Sequence, residues 1–168
     1  IRNIKLNLKA KRFLEDKKSL KIMINETKNK KLENLCEMNS TCHPIRLMAI
    51  KRSYDRPYKK ILIPFSNLRL NKNIKINKKK IIDYPIAINN QIIIKKNYAI
   101  LPEPLSLIYT LCFLIGSSIK DIKLLGFEGY KKTDPFQDKT QELFLILLKK
   151  IKNLKLTSLT RTNFKLSP

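Results

Sequence analysis

The chain has 168 residues, of which 43% are hydrophobic, and its 36 Lys and Arg against 13 Asp and Glu give a net charge of +23. This length is enough for one domain with a hydrophobic core, and the apolar content excludes a compositionally disordered chain. The longest uncharged run, residues 104–119, has 16 residues. It falls short of the ~20 apolar residues that a membrane-spanning helix needs, so we expect no transmembrane segment.

The cysteines Cys36, Cys42 and Cys112 are odd in number and widely spaced. Such a pattern does not indicate a disulfide framework and favours a reducing compartment. The first residues show no signal-peptide pattern. We therefore expect a cytoplasmic protein.

The basic charge has two competing explanations. A strong positive excess is typical of proteins that bind nucleic acid or an anionic surface. However, the 29 Lys, 24 Ile and 15 Asn all have A/T-rich codons, so the base composition of the genome is a second source of the excess. Only 7 of the basic residues are arginine, which reads phosphates and bases better than lysine does.

The first half of the chain carries short and weak patterns. Residues 1–19 are strongly charged without clear helical spacing, whereas the apolar runs at 20–24 and 61–63 predict strands. Nothing regular is assigned to residues 81–90. The other predictions here are a weak helix at 26–38, a turn at 39–41, a short helix at 45–50, a loop at 53–57 and an exposed basic loop at 71–80.

The second half carries clearer elements. Residues 91–94 and 98–101 predict a hairpin across the polar turn 95–97. Apolar residues at three- and four-residue steps after Pro104 predict a mostly buried helix over 104–116. A strand at 121–125, a polar loop at 131–138, a helix at 140–151 and a strand at 154–159 follow.

This alternation of strands and helices predicts an α/β fold: a Rossmann-like three-layer sandwich with a mainly parallel sheet. Right-handed crossovers would put the helices at 104–116 and 140–151 on the faces of the sheet. The chain begins with Ile1. We expect residues 1–168 to form a single domain, incomplete at its N-terminus and belonging to the C-terminal part of a larger protein.

The turn at 125–130, LGFEGY, follows a predicted buried strand. Ligands of parallel α/β folds bind just beyond the carboxyl ends of strands, so Glu128 could accept hydrogen bonds from a sugar hydroxyl and Tyr130 could stack on a base. An ordinary strand-end turn, with glycines that allow positive φ, is the alternative. The phosphate-binding pattern G-x-G-x-x-G is absent from the chain.

The segments GSSIKDIKLLGFEGYKKTDPFQ and LKLTSLTRTNFKL, with CHPIRL at 42–47, resemble a Rossmann-like domain of bacterial surface-polysaccharide proteins. In that family the domain often follows a TIM barrel of the 4-hydroxy-2-oxovalerate aldolase type. The strand and turn are also similar to those of bacterial lipooligosaccharide sialyltransferases, whose turn contacts the CMP part of the donor. The resemblance implies ligand contacts at Gly126, Phe127, Glu128, Gly129 and Tyr130.

Departures from the family pattern bear on activity. Position 128 is Glu where the pattern has Asp, and Phe136 and Arg161 replace its usual Arg and Pro. No histidine follows the turn to serve as the base that the sialyltransferases use. We therefore expect the chain to be part of an enzyme, aldolase-associated or glycosyltransferase-like, that is inactive without a companion catalytic domain upstream.

Other residues offer weaker chemistry. His43, the only histidine, precedes Pro44 and is interpreted as structural. A Cys42 nucleophile paired with His43 is not expected, because such partners are rarely adjacent in sequence. The spacing Cys36-x5-Cys42-His43 lacks a fourth ligand, so we expect no metal, and no cofactor is indicated. Glu128 and Asp134 are the one carboxylate pair that could suit glycoside hydrolysis.

The function predicted from these patterns is binding of a nucleotide, a nucleotide sugar or a sugar acid for surface-carbohydrate biosynthesis. The alternative is a basic RNA-binding or structural module without catalysis. It would use the charge at 69–80 and 145–165, with four aromatic residues for stacking: Tyr54, Tyr58, Tyr84 and Phe164. No RNP, helix-turn-helix or KH signature supports it.

Overall fold

The computed structural model describes residues 7–25, 29–43, 60–67, 78–131 and 133–166. Their contacts group into two compact units. The central unit is Leu20–Ser117, and the terminal unit combines Ile1–Ser19 with Ser118–Pro168. The single Rossmann-like domain expected from the sequence stays a prediction. The predicted segments 45–50, 53–57 and 71–77 lie outside the described residues.

The central unit contains a four-stranded parallel sheet. Its strands are β1 (Ile22–Ile24), β2 (Met38–Ser40), β3 (Lys60–Ile63) and β4 (Ile81–Asp83), which are neighbours in chain order. Ile22 pairs with Met38, and Met38 pairs with Lys60. A short helix, α2 (Lys30–Asn34), lies between β1 and β2 in the chain. The expected α/β fold with a mainly parallel sheet is therefore confirmed.

A three-stranded sheet follows in the same unit, formed by β5 (Ile86–Ile88), β6 (Ile93–Ile94) and β7 (Ala99–Leu101). β7 lies between the other two, antiparallel to β6 and parallel to β5. The predicted hairpin is thus confirmed. The side chain of Asn67, in a short 3-10 turn after β3, accepts from the backbone nitrogen of Ile86 at 2.9 Å and donates to its carbonyl at 2.8 Å.

Helix α3 (Ser106–Gly116) is the predicted buried helix and packs against β6, β7 and β1. Two buried tyrosines hold it in place. The Tyr109 hydroxyl donates to the carbonyl of Tyr84 at 3.0 Å, and the Tyr84 hydroxyl donates to the carbonyl of Lys95 at 2.9 Å. Because both hydroxyls find partners, these large rings can be buried in the core without an unpaired polar atom.

The terminal unit contains α1 (Leu8–Glu15), β8 (Asp121–Leu124), α4 (Pro135–Lys150) and β9 (Lys155–Ser158). β8 and β9 are parallel, with Asp121 opposite Lys155, and α4 is the connection between them. The rings of Phe144 and Phe164 lie 5.1 Å apart in the core of this unit. These strands and their connecting helix agree with the order predicted for the end of the chain.

Three predictions about element positions were wrong. Residues 8–15 form α1, because Ala10 and Leu14 bury one face and the Asn7 side chain accepts from the Ala10 nitrogen at 2.8 Å. The expected turn at 39–41 belongs largely to β2, whose polar residues Asn39 and Ser40 are buried. Helix α4 begins at Pro135 inside the expected loop, since Asp134 caps it. Residues 81–88, for which nothing regular was predicted, contain β4 and β5.

Candidate functional site

The predicted binding turn lies at the carboxyl end of β8. Gly126 and Gly129 have φ of 77° and 95°, in the left-handed region that only glycine enters freely. At Gly129 an added Cβ would also lie 2.7 Å from the Gln137 side-chain oxygen. Both glycines are therefore required by the shape of the turn, as the sequence pattern indicated.

Three hydrogen bonds fix the backbone of this turn. Gly126 donates from its nitrogen to the Thr160 hydroxyl at 2.9 Å, and Tyr130 donates to the Gln137 side-chain oxygen at 2.8 Å. The Asn163 nitrogen donates to the carbonyl of Glu128 at 2.8 Å. The turn is thus held between the start of α4 and the segment that follows β9.

Two side chains of the turn, those of Glu128 and Tyr130, are exposed to solvent. Glu128 is exposed, and its carboxylate has no hydrogen-bonding partner among the described residues. Tyr130 is 41% exposed, and its ring lies 5.9 Å from that of Phe136, which is 43% exposed. The Lys139 Nζ lies 5.8 Å from the centre of the Phe136 ring. An acceptor, two aromatic rings and a cation therefore lie close in the chain around one fixed turn.

The Asp134 side chain has a structural role at the start of α4. It accepts from the Phe136 nitrogen at 2.9 Å, which is the bond of a helix N-cap. This bond explains why an aspartate stands before Pro135, and it gives the Glu128–Asp134 pair no support as a hydrolytic site.

A second group of polar side chains surrounds the carboxyl ends of β1 and β2 in the central unit. We call it the β2 polar cluster, and its members are Asn25, Asn39, Ser40, Thr41, His43, Ser106 and Thr110. Asn25, with φ of 60°, directly follows β1, and Ser106 is the first residue of α3. The cluster therefore lies at the edge of the parallel sheet where ligands of α/β folds bind.

Hydrogen-bond directions within the cluster follow from its fixed donors. Thr110 donates to the carbonyl of Ser106 at 2.7 Å, so in the 2.7 Å contact between Ser40 and Thr110 the proton comes from Ser40. Thr41 donates to the Asn25 side-chain oxygen at 3.0 Å. The 3.3 Å contact between Thr41 and Ser106 is therefore donated by Ser106.

Cys42 follows the cluster and is a neutral thiol. Its Sγ donates to the carbonyl of Pro104 at 3.0 Å, and burial raises the pKa of the thiol to about 11. A buried thiol with such a pKa is a poor nucleophile near neutral pH. Beside it, His43 donates from its backbone nitrogen to Thr41 Oγ1 at 3.4 Å.

The prediction that Tyr84 and Phe164 stack on nucleic-acid bases was wrong. Tyr84 and Phe164 are only 1% and 7% exposed, so neither ring can receive a base. Tyr84 stands between Asp83 and Pro85, and Phe164 comes near the C-terminus, so the sequence pattern around neither residue reveals its burial. Tyr54 and Tyr58 lie outside the described residues.

The sequence interpretation missed the β2 polar cluster. A signal was present: Asn39, Ser40, Thr41, Cys42 and His43 are five consecutive residues that carry hydrogen-bonding or metal-ligating side chains. Such a run is typical of turns as well, and its partners Ser106 and Thr110 lie more than sixty residues away.

Metal-ligand groups and membrane-spanning helices are absent from the described parts of the chain. No group of three or more His, Cys, Asp or Glu there could hold a metal ion. No helix there is both long and apolar enough to cross a membrane.

Comparison with protein-family models, with curated proteins and with solved structures found no match to this chain. The resemblance to surface-polysaccharide proteins stays a prediction.

Proposed function

We propose that the protein binds a nucleotide, a nucleotide sugar or a sugar acid at the turn formed by residues 126–130. One observation carries the proposal: the backbone of the turn is fixed by three hydrogen bonds, whereas the Glu128 carboxylate and the Tyr130 ring remain exposed. A preformed loop loses little entropy when a ligand binds, so this arrangement suits recognition.

Each side chain has a distinct role in this proposal. Glu128 accepts hydrogen bonds from two neighbouring hydroxyls of a ribose or sugar ring, as acidic residues at strand ends do in dinucleotide folds. Tyr130, supported by the adjacent Phe136 ring, stacks on the base. Gly126, Phe127 and Gly129 supply the shape of the turn and the close approach of its backbone.

The chemistry belongs to a companion domain in this proposal. The resemblance to aldolase-linked domains implies a larger protein of surface-carbohydrate biosynthesis, in which this chain serves as the ligand-binding accessory part. The neutral thiol of Cys42 is consistent with a binding role for the described residues.

Calorimetric titration with CMP tests the proposal. A charged hydrogen bond contributes roughly 1.5–3 kcal/mol, so Glu128→Gln is expected to weaken CMP binding about 10- to 100-fold. Asp121→Asn is the matched control, because Asp121 is exposed at the opposite end of β8 and its replacement changes the net charge equally. For the ring, Tyr130→Ala is compared with Tyr98→Ala, since Tyr98 is also partly exposed.

Three results would contradict the proposal: no saturable binding of CMP, equal losses in Glu128→Gln and Asp121→Asn, or equal losses in the two tyrosine variants. A steep fall of affinity with salt, together with tight binding of single-stranded RNA, would instead favour the basic nucleic-acid module.

A further inference from the structure

Asn39 carries a buried acceptor that lacks a partner. Its side chain is 3% exposed, and its Nδ2 donates to the carbonyl of Asn25 at 2.6 Å. Because a carbonyl only accepts, the nitrogen must face Asn25, and the oxygen is left as the remaining atom. Among the described residues, Asn39 Oδ1 has no hydrogen bond. A buried polar atom without a partner costs roughly 1–3 kcal/mol, so its presence needs an explanation.

A second buried atom without a partner lies in the same cluster. His43 Nδ1 is buried and has no hydrogen bond within the described part of the chain. His43 is tied to the cluster through Thr41, whose hydroxyl accepts from the His43 nitrogen at 3.4 Å and donates to the Asn25 side chain. Asn39 and His43 are therefore both joined, through Asn25, to one local hydrogen-bond network.

The hydroxyls of this network have no proton to spare. The Thr41 proton is used on Asn25 Oδ1, and the Ser106 proton is used on Thr41. The network still offers acceptors, which are Asn39 Oδ1 and the lone pair that remains on Ser106 Oγ beside the bond from the Cys42 nitrogen, and it also holds amide N–H donors on Asn25 and Asn39. His43 Nδ1 can accept or donate, according to its tautomer.

The charge of the cluster residues also limits the kinds of ligand that the cluster could bind. Its members other than His43 have no ionisable side chain, and the first turn of α3 carries no acidic residue. A phosphate brings mainly acceptors, whereas a hydroxyl group also donates and so can satisfy an unpaired oxygen. A ring with several hydroxyls also supplies two or more donors at a spacing that suits neighbouring acceptors.

We infer that the β2 polar cluster binds the hydroxyl groups of a polyhydroxylated ring, a ribose or a hexose, with Asn39 Oδ1 as the central acceptor. Ser106 Oγ accepts beside it, and His43 Nδ1 accepts or donates according to its tautomer. The site lies at the carboxyl ends of β1 and β2, the edge at which parallel α/β sheets bind ligands. Its residues belong to the central unit, whereas the 126–130 turn belongs to the terminal unit.

Amide NMR of the full chain tests this inference, with D-ribose and D-glucose as probes. Saturable shifts are expected at the backbone amides of residues 39–43 and 106, and at the side-chain amide of Asn39. Ser106→Ala and His43→Ala each remove one hydrogen-bonding partner and are expected to weaken binding roughly 5-fold. Both residues are only partly buried, so the variants should fold.

Thr140→Val is the matched control. Thr140 Oγ1 is also buried without a partner in the described structure, but it lies in the middle of α4, outside the cluster. This variant should bind the sugars as the natural protein does. The inference is overturned if neither sugar gives saturable shifts, if Ser106→Ala and His43→Ala bind as before, or if inorganic phosphate saturates the same amides equally well. CMP shifts at 126–130 report on the proposed function separately.

Discussion

The hydroxyls of Ser40 and Thr110 lie 2.7 Å apart in the core of the central unit, although 70 residues separate them in the chain. Ser40 donates this hydrogen bond, and the Thr110 hydroxyl donates a second hydrogen bond to the carbonyl of Ser106. These two consecutive hydrogen bonds join the end of β2 to the first turn of α3. They thereby set the position of Ser106 in the β2 polar cluster.

Replacing Thr110 by Val should therefore destabilise the protein. The Val side chain has nearly the same shape but leaves the Ser40 hydroxyl without an acceptor, so we expect a loss of about 1–3 kcal/mol in the free energy of unfolding. Urea denaturation measures the change. Thr157→Val on β9, where Thr157 is exposed, should change stability by less than about 0.5 kcal/mol.

A double-mutant cycle separates this bond from simple packing. Ser40→Ala removes the donor, so the Ser40→Ala/Thr110→Val pair should cost less than the sum of the single changes. Strict additivity would show that the two hydroxyls do not interact.

Gly116→Ala should reverse the usual effect of this substitution in a helix. Alanine in place of glycine normally favours a helix by about 1 kcal/mol. At Gly116, however, the new Cβ would lie 2.5 Å from the carbonyl oxygen of Lys95 and 3.2 Å from the Tyr84 hydroxyl. Because a backbone atom must move, we expect a loss of about 1–3 kcal/mol in the free energy of unfolding. A more stable Gly116→Ala protein would contradict this contact.

Gln137 and Gln141 offer a matched test of how the binding turn is held. Gln137 accepts from the Tyr130 nitrogen, and Gln141 accepts from the Lys165 nitrogen at 2.6 Å one helical turn later. Gln137→Leu should speed hydrogen exchange at the Tyr130 amide and weaken CMP binding, although Gln137 itself is buried and would not touch the ligand. Gln141→Leu should speed exchange at Lys165 alone. Equal effects of both variants on Tyr130 would refute the role of Gln137.

The buried thiols should make the fold sensitive to alkaline pH. Burial raises the pKa of Cys42 to about 11 and that of Cys112 to about 12, against an ordinary value of 9.0. Above pH 9.0 the unfolded chain therefore loses thiol protons that the native state keeps, and stability falls as the pH rises. The stabilisation is fully present below that pH.

Urea denaturation as a function of pH measures this effect. The Cys42→Ala/Cys112→Ala variant should show a smaller fall in stability between pH 9.0 and pH 10.0, because it lacks two of the shifted groups. Burial also raises the pKa of Tyr84 from its ordinary value of 10.0, so tyrosine adds to the fall only at higher pH. An unchanged slope in the variant would show that these thiols are not the cause.

Local signals in the sequence predicted the elements whose residues carry the pattern themselves. The buried α3, the hairpin and the glycine turn depend on apolar spacing, polar turn residues and positive φ, which neighbouring residues determine. β2 was missed because Asn39 and Ser40 are polar, and their burial depends on Asn25 and Thr110 elsewhere in the chain. The hydrogen bond between the Tyr130 nitrogen and the Gln137 side chain could not be predicted from the sequence either, because a glutamine in a helix does not indicate which group it will bond.

The Asn67 side chain bonds both backbone groups of Ile86, and this has a consequence for how copies of the protein meet. β5 is an outer strand of its sheet, and Ile88 on it is largely exposed. An outer strand with free amide groups is a template onto which another chain can add. By occupying the first donor and acceptor of β5, Asn67 shortens that template and so opposes aggregation of the folded protein at high concentration.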